Sequence, residues 1–117
     1  MKKLLMILTL ITITSSAYCA AFQWTDWLDR DDPSGFGDYE NLSAFTDEDP
    51  PQSCEFPKAI KCKTLAGADY HSTGQIYTCN VVDGGICRNI EQPFGETCLD
   101  YKVKFLCPKS FFDEAFN

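Results

Sequence analysis

The chain has 117 residues, ten basic and 17 acidic, and a net charge of −7. That length accommodates one domain and no more. The acidic balance makes nucleic acid and anionic membrane poor partners, and leaves cations, basic proteins or a hydrated extracellular matrix as better ones.

The first residues read as a targeting segment. Lys2 and Lys3 form a basic n-region, Leu4 to Ile13 a short apolar stretch, and Ser15, Ser16, Ala17 and Cys19 supply the small residues of a cleavage site. The pattern predicts a signal peptide over residues 1–19, cut after Cys19 or after Ala21. The apolar stretch is too short to span a bilayer. Cleavage removes Lys2 and Lys3, leaving eight basic against 17 acidic residues and a net charge of −9. It also removes Cys19, leaving Cys54, Cys62, Cys79, Cys87, Cys98 and Cys107. An even number of cysteines in a short secreted chain predicts a three-disulfide framework, each bridge worth about 2–4 kcal/mol. Zinc is a poor competitor, because there is no C-x-x-C pair and His71 is the only histidine.

Residues 22–53 hold both tryptophans, nine acids and no mature cysteine. Within them, Trp24 to Glu40 sets two tryptophans three apart against a run of carboxylates broken by Pro33, Gly35 and Gly37, which rules out one continuous helix. Asp29, Asp31, Asp38 and Glu40 lie within twelve residues. A curled loop of this kind can offer the six to eight oxygens that calcium takes. It is not an EF-hand, since Pro33 and Ser34 occupy the fifth and sixth places. Composition leaves two readings, a hard-cation site and a solvated loop pinned by two core aromatics, and favours the second because acidic runs are usually solvated. Tyr39–Phe45 has the spacing of one or two helical turns with Leu42 and Phe45 inward. Thr46–Ser53 is an acidic connector with Pro50 and Pro51, expected to be extended and exposed.

Residues 54–107 read as strands. Ala59–Leu65 alternates, with Ile60, Cys62 and Thr64 on one face and Lys61 and Lys63 on the other. Gln75–Val82 and Ile86–Ile90 flank Asp83-Gly84-Gly85, a hairpin signal. Thr97–Cys107 puts Leu99, Tyr101, Val103, Phe105 and Cys107 on one face and Asp100, Lys102 and Lys104 on the other. The hairpin favours pairing Cys79 with Cys87, and stapling the first strand of this part to the last favours Cys54–Cys107 with Cys62–Cys98, among fifteen possible connectivities. The tail, residues 108–117, carries three phenylalanines and is expected to pack on the sheet rather than drive self-association. The fold class is therefore mainly β: a small, disulfide-stapled, β-sandwich-like module with a long N-terminal acidic loop and little helix.

Catalysis finds little support. His71 is the only imidazole, it lies in a polar loop, and no nucleophile-elbow or zincin motif surrounds it. Paired carboxylates for glycoside hydrolysis need fixed separations across a cleft, for which the chain gives no sign. The chain is not read as an enzyme.

Spaced motifs at both ends resemble the WxxW domain, the cysteine-rich module (often called CysD) of gel-forming mucins that also occurs in cartilage intermediate layer proteins. The resemblance rests on Trp24–Glu40, Ser53-Cys54-Glu55-Phe56-Pro57, Gly85-Ile86-Cys87-Arg88-Asn89 and Cys98–Cys107, so it spans about residues 22–107. It implies a compact, disulfide-bonded, β-rich extracellular module that binds calcium, with Asp29, Asp31 and Asp38 at the matching acidic positions and Glu40 beside them. It also implies two departures: mucin modules carry extra cysteines where this chain has Gln23 and Pro108. W-x-x-W in a secreted chain is an acceptor pattern for C-mannosylation, which in this family falls on Trp24; two core aromatics is the coexisting reading, with at least one of Trp24 and Trp27 expected to be buried. Asn41-Leu42-Ser43 is the chain's single N-glycosylation sequon.

The expected function is that of a secreted, non-enzymatic, calcium-binding structural or interaction module of extracellular matrix or mucus. Its expected partners are extracellular proteins or glycoproteins, with self-association among them, and neither nucleic acid nor a membrane span is expected. The alternative is a secreted carbohydrate- or microbe-binding defence protein.

Overall fold

The structure is a computed structural model that describes residues 21–115. The predicted signal peptide and its cleavage after Cys19 lie outside the described residues. Among the described residues, no helix is long and apolar enough to cross a membrane.

The strongest strand signal organises the fold. Tyr101–Pro108 (called β6 in chain order) alternates strictly, so Tyr101, Val103, Phe105 and Cys107 are fully buried while Lys102, Lys104 and Leu106 point the other way. It is the centre of an antiparallel three-stranded sheet, between β1 (Phe22–Trp24) and β3 (Ala59–Thr64). The first strand puts Phe22 opposite Pro108 and Gln23 opposite Cys107. Backbone pairing thus ties the amino-terminal strand to β6 at the positions where the mucin form would carry extra cysteines. The strand starts at Tyr101 and not at Thr97. Cys98 is held by a disulfide and Leu99 N donates to the Gln75 side chain (3.0 Å), so this stretch bonds outside the ladder and Leu99 stays exposed.

The second sheet is β2 (Gly37–Asn41), β5 (Gly84–Arg88) and β4 (Thr78–Asn80), antiparallel with β5 central. The expected hairpin is present, but its turn lies at Val81–Asp83. Asn80 Oδ1 accepts from the amides of Val82 (2.9 Å) and Asp83 (2.7 Å) and closes the turn before the glycines. Gly85 is instead a packing residue. A Cβ there would lie 2.1 Å from the Tyr77 hydroxyl and 2.6 Å from Val103 Cγ1, so its missing side chain lets the two sheets meet. The two-sheet, mainly β architecture is the one expected.

The disulfides also differ from expectation. With the register set at Cys79 opposite Gly85, Cys87 falls two residues further along β5 and does not face Cys79. Cys79 pairs with Cys62 of the other sheet, and Cys87 pairs with Cys98 at the approach to β6. The expected Cys79–Cys87 and Cys62–Cys98 bridges do not form; Cys54–Cys107 does. Within-sheet neighbours are already held by the ladder. The two corrected bridges join chain segments that no backbone ladder connects.

Helix α1 covers Leu42–Thr46 and buries Leu42 and Phe45, with the Phe45 ring edge-on to Phe105 at 6.1 Å. Tyr39–Asn41, expected as part of that helix, belongs to β2. The acidic connector is not extended: Gln52 N donates back to Phe45 O (3.0 Å) and Ser53 is buried, because Cys54 is anchored to Cys107. Helix α2 (Lys109–Ala115) brings Phe111 and Phe112 against the core, as expected of the tail; Phe116 lies outside the described residues.

Candidate metal centre

Alternation along β2 turns Asp38 and Glu40 toward the interior, where both are fully buried, and leaves Tyr39 half-buried on the other side. Their register partners are Cys87 and Gly85, small enough on that face to leave room for carboxylates. The Asp29–Gly37 loop folds back over them. Arg30 N and Asp31 N donate to the two oxygens of Glu40 (2.7 and 3.2 Å), and Arg30 Nη1 donates to Tyr39 O (3.0 Å). Gly37 closes the loop onto β5, where a Cβ would lie 2.0 Å from Cys87 O.

One carboxylate oxygen from each of Asp29, Asp38, Glu40 and Asp100 falls in a group whose members all lie within 4.8 Å of one another. Asp38 Oδ2 accepts from Tyr101 N at 2.7 Å. Asp38 Oδ1 and Asp100 Oδ1 are buried and have no hydrogen-bond partner among the described residues. Buried polar atoms are normally satisfied, because desolvation without a partner costs roughly 1–3 kcal/mol and more for a charge. Burial first, then the neighbouring acids, pushes Asp38 up to about 7 against the pull of the Tyr101 amide. Burial likewise pushes Glu40 up to about 9 against the pull of the Arg30 amide. Asp100 is raised by burial and by Asp29, Asp32 and Asp31. Tyr77 is partly buried, its hydroxyl has no partner among the described residues, and it is raised by burial and by the charges of Asp38 and Glu40.

The donor set is all oxygen and acidic. Ligands at 2.3–2.6 Å from one calcium ion lie at most about 5 Å from each other, which the 4.8 Å spread satisfies. A hard divalent cation fits these residues. A soft metal does not, since all six cysteines after Cys19 are in disulfides and His71 sits exposed on Asp69 (Nδ1 to Oδ2, 2.9 Å).

Three of the four expected acids converge here. Asp31 does not: its Oδ2 accepts from Tyr39 N (2.9 Å), so it braces the loop against β2. Its place is taken by Asp100, 69 residues further along the chain, which the alternation sets on the outward face with Lys102 and Lys104. The available signal was that Asp100 is the only acid among those outward positions. The tryptophans also differ from expectation. Neither is in the core; both are half-buried on the outer face of the first sheet, while Thr25 between them is buried and bonds Phe105 through backbone (2.8 Å) and Oγ1 (3.0 Å). Asn41 is half-buried where β2 runs into α1, and its side chain makes no capping bond.

The family described as the mucin-2 protein WxxW repeating region matches residues 24–107. Human cartilage intermediate layer protein 1 is 37% identical over 86 residues, covering 74% of this chain and 7% of that protein. Human cartilage intermediate layer protein 2 is 37% identical over 89 residues, 75% of this chain and 8% of that protein. Human mucin-2 is 30% identical over 105 residues, 85% of this chain and 2% of that protein. The chain therefore spans less than a tenth of the length of these relatives, and what it shares with them is the module that holds the acid group. By its motifs, its two-sheet fold and this match over most of its length, the chain belongs to the WxxW family of gel-forming mucins and cartilage intermediate layer proteins.

Proposed function

We propose that the protein is a secreted, non-enzymatic structural module of extracellular matrix or mucus whose acid group binds calcium. It works outside the cell, consistent with its three disulfides and its cartilage and mucin relatives. The observation that carries the reading is the pair of buried, unpartnered oxygens, Asp38 Oδ1 and Asp100 Oδ1, inside a group of four carboxylates. When bound, calcium supplies positive charge and coordination to oxygens that have no other partner. Asp29 comes from the loop, Asp38 and Glu40 from the second sheet, and Asp100 from the approach to β6 in the first. Their joint occupation locks the loop onto both sheets, and ligand binding to the folded state alone adds stability by mass action. The module presents a stapled surface to extracellular proteins or glycoproteins. C-mannosylation of Trp24 and an N-glycan on Asn41 belong to the same reading, and mass spectrometry of the secreted protein reads both.

The test is thermal unfolding with and without calcium. Saturation near one hundred times Kd adds about 2.7 kcal/mol, which in a domain of this size raises Tm by roughly 10–20 °C. No shift at millimolar calcium would sink the proposal.

A further inference from the structure

The outer face of the first sheet carries a second like-charged cluster, of opposite sign. Lys61 and Lys63 on β3 and Lys102 and Lys104 on β6 all project away from the core, and the register sets Lys61 directly across from Lys104 and Lys63 across from Lys102. Like charges directly opposed on an antiparallel pair repel. The chain is rich in acids, yet none of these lysines is ion-paired among the described residues, where the pairs are His71–Asp69 and Arg88–Glu91. The ammonium groups sit over aromatic rings instead. Lys61 and Lys104 lie 4.9 and 5.4 Å from the Trp24 ring centre. Lys63, Lys104 and Lys102 lie 4.3, 4.9 and 5.6 Å from that of Trp27. Lys58 extends the row over Phe22 at 4.3 Å. Such contacts hold an ammonium in place without cancelling its charge. A cleft of about 460 Å³ runs along one side, lined by Trp27, Lys61, Lys63, Tyr70 and His71, with Asp69 as its one acid.

We propose that this face binds a sulfated glycosaminoglycan chain. The cations are spread over a flat two-strand surface, about 7 Å apart along each strand, which suits an anion that repeats along a polymer better than a single small one. Lysines bind such anions as point charges and need no bidentate geometry. The indole planes that hold the ammonium groups preorganise the array, so little side-chain freedom is lost on binding. A protein partner suits the face less well, because protein interfaces are depleted in lysine. The face shares no residue with the acid group and does not depend on what that group binds.

Heparin is the probe. The secreted, oxidised chain in calcium is applied to immobilised heparin at low ionic strength, beside a variant carrying Lys61→Gln, Lys63→Gln, Lys102→Gln and Lys104→Gln. A milder variant with Lys61→Gln and Lys104→Gln keeps the test sound if four changes lower Tm. The native chain should be retained and its affinity should fall as salt rises; the fourfold variant should bind at least about tenfold more weakly, with the double variant between them. Desulfated heparin should compete at least about tenfold less well than heparin. Absence of retention, retention unchanged by the substitutions, or equal competition by polyglutamate overturns the proposal, the last by assigning the face to an acidic polypeptide. Self-association that the substitutions abolish, without heparin retention, overturns it in favour of a second copy of the chain.

Discussion

The protein holds two clusters of like charge within one small fold, and they are built in opposite ways. Asp38 and Glu40 are drawn inward with no solvent exposure, Asp100 is half-buried and Asp29 stays exposed, and two oxygens of the group have no partner among the described residues. The lysines are drawn outward and lie against aromatic planes at the surface. Water and salt screen the lysines and reach the acid group at Asp29, but barely reach Asp38 and Glu40. Buried repulsion must therefore be relieved by protonation or by a bound cation, whereas exposed repulsion can stand until a partner arrives. The burial of a charge, more than its sign, decides whether it is a folding problem or a binding opportunity.

The largest expected effect tests the buried side. Asp38→Asn should abolish the calcium-dependent rise in Tm, because it removes the carboxylate at the centre of the group. In chelator at pH 8 the same variant should melt at or above the native protein, since one buried charge is gone. Paired melting curves in calcium and in chelator read both outcomes, and a calcium response kept intact in the variant would refute the assignment. Asp100→Asn should behave in the same direction.

Next comes pH. Burial pushes Asp38 up from 3.8 to about 7 and Glu40 up from 4.5 to about 9 in the folded protein. Between these limits the unfolded chain binds fewer protons than the folded one, so the stability of the calcium-free protein falls as pH rises from about 4 to about 9. It is level below that window and above it as far as these two groups are concerned. Chemical denaturation in chelator at pH 5 and pH 8 should give the higher midpoint at pH 5. Calcium should narrow the gap, because bound calcium replaces the protons.

Gly85→Ala tests the contact between the two sheets. The added methyl meets the Tyr77 hydroxyl and Val103 where the sheets touch, and such overpacking costs about 1–3 kcal/mol. Because Gly85 also faces Glu40 across the ladder, the calcium-dependent rise in Tm should be reduced in that variant. Asp31→Asn should cost less, about 1 kcal/mol for the weakened bond to the Tyr39 amide, with the calcium response retained. The smallest effect belongs to the exposed side: Lys61→Gln with Lys104→Gln should change stability by about 0.5 kcal/mol or less. Any gain from relieved repulsion should shrink as salt is added.

Much of this was readable in the residues, and the failures share a cause. The alternation of Tyr101, Val103, Phe105 and Cys107 marks the central strand because a period of two has no other structural use at that length. Leu42 and Phe45 mark the inward face of α1 in the same way. The glycine pair 84–85 reads as a turn in the sequence because a turn and a tight sheet contact both call for glycine. Only Asn80's side chain, which closes the turn at Val81–Asp83, separates the two. Neighbouring strands do not make neighbouring cysteines: Cys79 faces Gly85 in the ladder and bonds Cys62 of the other sheet, while Cys87 bonds Cys98. Asp31 and Asp100 exchanged roles for a similar reason: nearness along the chain is not nearness of carboxylate oxygens. Trp24 and Trp27 look like core by size, yet the lysines of two neighbouring strands give them a surface place that composition does not reveal.

By itself, the sequence determined the class of fold, the candidate cysteine framework, the amphipathic faces and the family, because these depend on residue type and local periodicity. The tertiary structure alone decided which cysteines meet, which four acids converge, and that the lysines of β3 and β6 stack against the W-x-x-W pair. Each of these depends on strand register and on the packing of one sheet against the other, which couple residues far apart in the chain.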